Sequence, residues 1–485
     1  GTNVFGPWIG RLQNSGETIE LEDAAGRRAD RVQYADEGDW AIRARGPLDN
    51  GHEGWTWVAA HDGGGSSLEL INPTLSNNRG QNWASSAVAG GSPGAVNSVA
   101  SGSGAPLILN VRHEPVIPRS SDTVVITAEL EHATITQPPT LHWRADDQES
   151  WSSQDLIDNG RGELNAEIPG HPDGTVIEFY LSTSNGVTER TWPGPTQPSG
   201  EQEANALIQF DNSYDPTAPW VPGAQPKYRI IMTEDERAEL DDIGDDSESP
   251  RDEEDSNAEM NCTFIVEDGT GLALRYLSSV RNRGASSRNP PPNNFLVKFR
   301  SDEAWNGHPS IKFNARYPHS QVLGSWYFRH GGVETANASA ALLRINGEDL
   351  ARSGSNMYGS YARVESFGSA YTENHWPLDP DGNFYQVRDD EDSNEEGDLR
   401  YEGPDPDSYR DTYFKHTNQS EDDWSDLIAL TNALNNAPEE TYLQEVGQVL
   451  NIDQWLTYFA LDTLAGNQEG GLITSKGDDY GLYRG

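Results

Sequence analysis

The chain is poor in cysteine, in positive charge and in long apolar runs, and each shortage excludes a class of protein. A single cysteine, Cys262, excludes a disulfide framework and a zinc site made of thiolates. No run of 18 apolar residues occurs, so we expect no membrane span in this fragment. Lysine and arginine number 34 against 78 acidic residues, and the net charge of −44 argues against nucleic acid or an anionic membrane as a partner.

The residues that are abundant favour several β-rich modules. A chain of 485 residues exceeds one ordinary core, and its 48 glycines and 29 prolines favour strands and loops over long helices. Cys262 lies in the strand-like run NCTFIV, where we expect a buried, unreactive thiol. The acidic excess fits a secreted protein of a salty habitat, so we predict an extracellular or cell-surface location. The opening TNVFGPW is typical of mid-domain sequence, which predicts a fragment of a longer protein.

Residues 1–98 alternate short strand patterns with turn residues. Glu17, Ile19 and Leu21 repeat with a period of two, as in a half-buried strand. Asn-Ser-Gly-Glu at 14–17, Gly-Gly-Ser-Ser-Leu-Glu-Leu at 64–70, Asn-Trp at 82–83 and Ser-Pro-Gly-Ala at 92–95 resemble the C-terminal half of a lamin-tail domain. The resemblance implies a partial lamin-tail-like β-sandwich over residues 1–98.

Residues 107–211 repeat the strand pattern after a Gly- and Ser-rich linker at 99–106, which we expect to be mobile. The runs LILNVRHEP, DTVVITAEL, TLHWRAD and TVIEFYLSTS predict an immunoglobulin-like sandwich that acts as a spacer. Its histidines are scattered, so we interpret them as surface or satisfied core residues. They are His113, His132, His142 and His171. A second linker is predicted at 212–225.

Residues 226–485 form the third predicted domain. It opens with KYRII, a strand pattern, and continues into a short acidic helix. Acids greatly outnumber the two arginines between Glu234 and Glu259, which predicts a solvated or disordered insertion; calcium binding is the alternative, although the spacing of a calcium loop is missing.

A concentration of cations follows at 280–328. Arg281 and Arg283 are two residues apart on a predicted strand, so their side chains are expected on one face. A guanidinium group can bind two phosphate oxygens at once through two parallel hydrogen bonds. The small residues of the turn 284–287, including Ser286, leave backbone N–H groups accessible to an anion. The alternative is that the two arginines pair with carboxylates of this acidic chain.

The motifs of this part resemble the spore-coat CotH family of atypical protein kinases, and the resemblance implies a bacterial protein. They are VRNRGASSR at 280–288, FLVKF at 295–299, WNG at 305–307, SIKFNA at 310–315, HSQVLGSWYFR at 319–329, LLRINGEDL at 342–350, MYGSYARVES at 357–366, DPDGNFYQV at 379–387, NIDQWLTYFALDTLAGNQEGG at 451–471 and DDYGLYRG at 478–485. The resemblance implies an α+β, atypical kinase-like domain that is truncated at its C-terminus and uses ATP and Mg²⁺ on a protein substrate.

The resemblance also implies roles for particular residues. Those expected to bind the nucleotide are Arg281, Arg283, Ser286, Lys298, Lys312 and Glu365. Glu365 is expected to pair with Lys298 or Lys312, the alternative being an ordinary strand salt bridge. Asn467 and Glu469 are expected in the catalytic loop, and Asp478 and Asp479 at the metal. The apolar spacing of 426–437 and 440–464 predicts core helices of the second lobe.

Four positions depart from the family pattern. Asn293 and Asn294 stand where a lysine is usual, Gln386 replaces another lysine, and Glu469 replaces an aspartate. Together with the missing metal-binding segment after Gly485, these departures predict that the fragment itself does not transfer phosphate.

Two functions therefore stay open for the full-length parent. One is a secreted or surface-associated protein kinase, with the first two modules as docking or targeting parts. The other is a non-catalytic adhesion or matrix protein that uses the kinase-like domain as a scaffold. A third idea, glycan binding by the sandwiches, depends only on Trp55, Trp57 and Trp83, and aromatic residues of sandwiches usually belong to the core.

Overall fold

The structure is a computed structural model that describes residues 12–13, 15–131, 138–160, 162–243, 256–284, 288, 291–354, 356–387, 397–467, 472, 477 and 479–485. It is mostly β-structure in several sheets, with few helices among the described residues. The chain divides into two compact units, the first made of residues 1–316 and 340–361, the second of residues 317–339 and 362–485.

The strands are β1 Gly16–Glu22, β2 Arg28–Ala35, β3 Ile42–Asp49, β4 His52–Val58, β5 Leu68–Leu70, β6 Trp83–Ser85, β7 Leu107–Glu114, β8 Val124–Glu131, β9 Thr140–Ala145, β10 Ser152–Asp155, β11 Ile157–Asp158, β12 Leu164–Ile168, β13 Val176–Ser184, β14 Glu189–Trp192, β15 Ala206–Gln209, β16 Lys227–Ile231, β17 Met260–Glu267, β18 Leu272–Asn282, β19 Phe295–Lys298, β20 Ser310–Asn314, β21 Ala338–Ile345, β22 Glu348–Asp349, β23 Tyr361–Glu365, β24 Asn383–Val387, β25 Tyr413–Lys415 and β26 Gly481–Arg484. The α-helices are α1 Glu234–Asp242, α2 Pro318–His330, α3 Ser369–His375, α4 Ser425–Asn436, α5 Tyr442–Val449 and α6 Ile452–Ala465.

The described residues of the first part of the first unit form three antiparallel strand pairs, β1–β2, β3–β4 and β5–β6. The β3–β4 hairpin turns at Asn50 and Gly51, which both have positive φ, the geometry of a tight turn that matches strand twist. Trp40 and Trp55 are buried. The strands predicted here are present, and the lamin-tail assignment stays a prediction.

The predicted linker at 99–106 and the residues just before it make defined contacts with the first module. The buried carboxylate of Glu69 accepts from the backbone N–H groups of Ser92 at 2.9 Å and Ser98 at 2.6 Å. Hydrogen bonds from both serines lower the pKa of Glu69 to about 2. Ser101 donates its backbone N–H to Ile71, and Ala105 is buried. The segment is therefore anchored to the module before it.

Strands β7 to β15 form two antiparallel sheets, with orders β10-β9-β13-β14 and β11-β12-β8-β7, and β15 pairs with β13. Alternate residues of both sheets share one core, because every second side chain of a strand points to the same side. Ile126, Phe179 and Leu181 are almost completely buried in it. The immunoglobulin-like assignment stays a prediction.

The last sheet of the first unit contains β16-β17-β18-β19-β20 in antiparallel neighbour order, and β16 also pairs in parallel with β21. The predicted hairpin in LLRINGEDL is confirmed: β21 and β22 are joined by Asn346 and Gly347, both with positive φ. Cys262 is completely buried, as expected, and burial raises the pKa of its thiol.

The acidic segment 234–259 differs from the solvated insertion that the sequence predicts. Thr233 caps α1 by accepting from the backbone N–H of Glu236 at 3.3 Å, and Leu240 and Ile243 are buried. Ser256 is completely buried as well. The prediction is therefore wrong for both ends of the segment, because a few apolar and capping residues are enough to attach them; residues 244–255 lie outside the described part.

The second unit contains β24, β25 and β26 in one antiparallel sheet that packs with α4. The helical pattern at 440–464 forms two helices rather than one, because α5 ends at Val449 and Asn451 begins α6 as its cap, accepting from the backbone N–H of Gln454 at 3.1 Å. The expectation of core helices holds only in part. Trp455 is half-buried against the core, and Asp462 is the buried residue of α6.

Candidate functional site

Three cations lie on one face of the sheet of the first unit. Arg281 in β18 pairs in register with Leu296 in β19, which pairs with Lys312 in β20. Lys298 is two residues beyond Leu296, so its side chain points to the same face. We call Arg281, Lys298 and Lys312 the cationic row. On the opposite face the aligned residues Val280, Val297 and Ile311 are completely buried, which fixes the orientation of the row.

Neighbouring polar groups hold the members of the row. Arg281 donates Nη1 to Oδ1 of Asn257 at 2.7 Å and to the carbonyl of Asn282 at 3.0 Å. Burial lowers the pKa of Arg281, although the nearby Glu259 and Asp49 oppose the shift. Lys298 forms an ion pair with Glu259, and its side chain is 45% exposed. The row is thus fixed at Arg281 and accessible at Lys298.

Arg283, predicted on the same face as Arg281, lies just after the last residue of β18. Its guanidinium donates to Oδ1 of Asn314, and its backbone N–H donates to the carbonyl of Asn294 at 3.0 Å. The turn that follows begins at Gly284, whose φ is +103° and whose carbonyl accepts from Nε of Arg288 at 2.9 Å. Ser286 lies outside the described residues.

Two of the departures from the family pattern, Asn294 and Gln386, make side-chain contacts within the fold. Asn293 and Asn294 are buried, and Oδ1 of Asn294 accepts from the backbone N–H of Ala315 at 2.7 Å, which joins the segment before β19 to the end of β20. Gln386 contacts the imidazole of His416 at 2.9 Å.

Glu365 is a buried carboxylate of the second unit with several donors around it. Its Oε2 accepts from the backbone N–H of Asn337 at 3.1 Å and lies 2.8 Å from Nε2 of His375, and its Oε1 accepts from Nδ2 of Asn374 at 3.1 Å. Burial alone would raise the pKa of Glu365, but these hydrogen bonds outweigh it and lower the pKa to about 2. Glu365 is therefore ionised and fixed.

The partner of Glu365 is a histidine rather than the expected lysine. The cation beside Glu365 is His375, whose other nitrogen, Nδ1, lies 2.8 Å from Glu334, and the two carboxylates raise the pKa of His375 against the effect of burial. Lys298 pairs with Glu259 instead. The reason is local: α3 follows β23 closely and brings His375 to the carboxylate.

The predicted catalytic and metal residues belong to the second unit. Asn467 follows Gly466, which ends α6 with a φ of +65°, and its Nδ2 donates to the buried carboxylate of Asp462 at 3.0 Å. Asp479 has a φ of +55° just before β26. Glu469 and Asp478 lie outside the described residues. The catalytic, nucleotide and metal assignments all stay predictions.

The described residues contain neither a cluster of metal-binding side chains nor a helix that could span a membrane. No group of three or more His, Cys, Asp or Glu side chains in the described part is placed to hold a metal ion. None of the described helices is both long and apolar enough to traverse a bilayer.

Three residues that contact the predicted site residues were not predicted from the sequence: Glu259, His375 and Asp462. Glu259 follows a highly acidic run, so nothing distinguishes it from its neighbours. His375 and Asp462 occupy ordinary helix positions. Their only signal is proximity in sequence to Glu365 and Asn467 respectively.

Comparison with known proteins confirms the resemblance for one part of the chain. Residues 280–485 match the family model described as CotH kinase protein, so this part is CotH-like and kinase-related. Among curated proteins none matches. A solved structure, the GH family 64 laminaripentaose-producing beta-1,3-glucanase from Paenibacillus barengoltzii complexed with laminarihexaose, is 10% identical over 43% of this chain and 58% of that chain, with a TM-score of 0.14. A likeness at this TM-score carries no conclusion about fold or activity.

Proposed function

We propose that the protein is a CotH-like protein kinase of the cell surface or extracellular space, which binds Mg-ATP through the cationic row and transfers phosphate to protein hydroxyl groups. The match of residues 280–485 to the CotH kinase family supports the reaction class. The cationic row carries the proposal, because three cations share one sheet face in a chain of net charge −44.

The chemistry of the row fits the phosphates of a nucleotide. A guanidinium offers a planar set of donors to phosphate oxygens, and an ammonium acts as a compact charge with three donors. Arg281 would hold one phosphate group and Lys298, at the exposed end, would neutralise another. When bound, ATP supplies the phosphoryl group that is transferred.

The described residues give less support to the magnesium site than to the phosphate site. Asp479 is the only one of the two proposed metal residues that the structure describes, and the described residues include no three-residue metal cluster. For Asn467, the hydrogen bond to Asp462 supports a role in orienting the acceptor, because it fixes the side-chain amide.

Calorimetry on the full chain with Mg-ATP tests the proposal. We expect binding by the wild type and a loss of about tenfold or more in affinity for Lys298→Met, which corresponds to the loss of a charge-assisted contact. Lys227→Met is the matched control, since Lys227 pairs with Glu267 at 3.6 Å on the same sheet outside the row. No binding by the wild type, or equal binding by Lys298→Met, would refute the proposal.

A non-catalytic scaffold is the second candidate, and one observation favours it. Asn293 and Asn294, where the family usually has a lysine, are buried, and Asn294 joins the segment before β19 to the end of β20. A full-length parent that binds Mg-ATP yet transfers no labelled phosphate to any protein acceptor would support the scaffold.

A further inference from the structure

A short segment, Ser256–Glu259, lies against the β3–β4 hairpin of the N-terminal part. The backbone N–H of Trp55 donates to the carbonyl of Glu259 at 2.7 Å, and the backbone N–H of Asn257 donates to Asp49. Gly54 permits this approach, because a Cβ at Gly54 would lie 2.2 Å from the backbone nitrogen of Glu259. The hairpin therefore fixes the position of the segment.

The same segment offers oxygen atoms to cations of the candidate site. Oδ1 of Asn257 accepts from Arg281 at 2.7 Å and from Nη2 of Arg288 at 3.2 Å, and the carboxylate of Glu259 pairs with Lys298. An amide oxygen and a carboxylate thus occupy donors that a phosphate group would otherwise bind.

The charge of Glu259 affects more than Lys298. Arg43 of the hairpin is buried, with no hydrogen-bond partner among the described residues for Nε and Nη2, and burial lowers its pKa against the negative charges of Glu259 and Glu236. Asp49 and Glu236 are further acids close to this segment, and Glu37 interacts electrostatically with both Lys298 and Arg43. Replacing Glu259 by a neutral residue would leave both Arg43 and Lys298 with less negative charge nearby.

We infer that Glu259 is a built-in counter-anion that competes with the nucleotide phosphates for Lys298, and that the β3–β4 hairpin holds it in place. The N-terminal module would then set the affinity of the kinase-like part for nucleotide, beyond any docking role. This inference rests on the proposed function. Its physical basis is that a carboxylate beside an ammonium lowers the local positive potential, and that an incoming phosphate is repelled by the carboxylate or must displace it.

Calorimetry of the full chain with Mg-ATP, and separately with inorganic pyrophosphate, tests the inference. Glu259→Gln keeps the size of the side chain and removes its charge, and we expect about tenfold tighter binding of both ligands with a steeper dependence on salt. Glu259→Asp keeps the charge, so its affinity should be close to that of the wild type. The matched control is Glu267→Gln, at the other end of β17, which should leave the affinity unchanged.

A double-mutant cycle separates competition for Lys298 from a general structural effect. In a Lys298→Met background the gain from Glu259→Gln should fall to about twofold or less, because the cation in competition is gone. Tightening of equal size in that background overturns the inference, as does unchanged or weaker binding by Glu259→Gln alone. Should Glu259→Gln fail to fold, Asp49→Ala removes the acceptor of the Asn257 backbone N–H and loosens the segment from the hairpin without altering Glu259, and it should also tighten binding; unchanged affinity there overturns the inference.

The outcomes also distinguish the two proposals. If folded wild type and folded variants bind neither Mg-ATP nor pyrophosphate, the proposed function fails and the inference with it. If the wild type binds and Lys298→Met weakens binding, whereas Glu259→Gln does not tighten it, the proposed function survives and only the inference fails.

Discussion

Nε2 of His375 lies 2.8 Å from Oε2 of Glu365, and both side chains are buried. Nδ1 of the same imidazole lies 2.8 Å from Glu334, which is 40% exposed. The ring of Tyr371 packs 4.2 Å from the imidazole, and burial raises the pKa of Tyr371. The pair of His375 and Glu365 is therefore a buried, hydrogen-bonded ion pair with one solvent-facing partner.

This relationship predicts a pH window for stability. The pKa of Glu365 is lowered to about 2, so its stabilising contribution is complete above the ordinary carboxyl pKa of about 4.3 and is lost as the pH falls towards 2. The pKa of His375 is raised, so its contribution is complete below the ordinary imidazole pKa of about 6.5 and is lost as the pH rises through the raised value. The pair contributes most between those two ordinary values.

We expect Glu365→Gln to reduce the free energy of unfolding by about 3 kcal/mol at pH 5.5, because it leaves a buried imidazolium without its carboxylate. The loss should become smaller as the pH rises towards 9, because His375 loses its charge as the pH rises through its raised pKa. Thermal unfolding at both pH values measures the difference, with Glu373→Gln on the exposed side of α3 as the control. A loss that is equal at pH 5.5 and pH 9 would refute the ion pair.

The close approach of Gly54 to Glu259 predicts a second effect on stability. A Cβ at this position would lie 2.2 Å from the nitrogen and 2.8 Å from the oxygen of the Glu259 backbone, and backbone atoms cannot move aside as a flexible side chain can. We expect Gly54→Ala to cost about 1–3 kcal/mol of unfolding free energy. Gly46→Ala in the same hairpin meets its nearest atom at an ordinary 3.5 Å and should be nearly neutral. Equal melting temperatures for the two variants would contradict the contact.

Local patterns predicted most of the strands and turns because these depend on neighbours in sequence. The Asn346–Gly347 turn is an example, since both residues tolerate the positive φ that the hairpin requires. The burial of Cys262 followed from an apolar strand in the same way. The division of 440–464 into two helices was missed because the apolar spacing continues through Asn451, and only its capping bond reveals the break.

The part of the candidate site that depends on the alternation of side chains along a strand was predictable from the sequence. Strand spacing is enough to bring Arg281 and the two lysines to one face, but it does not choose their partners. With 78 acidic residues in the chain, many carboxylates are candidates for each cation, and the choice of Glu259 depends on how the β3–β4 hairpin packs. The partner of Glu365 likewise depends on the path of the chain from β23 to α3.

The burial of Cys262 predicts an inert thiol. Because burial raises the pKa of the thiol and the side chain is completely enclosed, the reactive thiolate is scarce at pH 8. We expect no alkylation by iodoacetamide at pH 8 in the folded protein and complete alkylation in 6 M guanidinium chloride. Mass spectrometry of both samples gives the answer, and rapid labelling of the folded chain would contradict the burial.

The contact between Asp462 and Asn467 predicts how the end of α6 is held. The carboxylate accepts from Nδ2 of Asn467 at 3.0 Å, and the backbone carbonyl of Asp462 accepts from the N–H of Asn467 at 3.3 Å. Asp462→Ala removes the side-chain acceptor and should cost about 1–2 kcal/mol of unfolding free energy. Asp462→Asn keeps an oxygen acceptor and should cost less than half of that. Thermal unfolding of the two variants, with hydrogen exchange at the amide of Asn467 as a local measure, separates them; equal losses would show that the Asp462 side chain acts through its charge or packing rather than through this hydrogen bond.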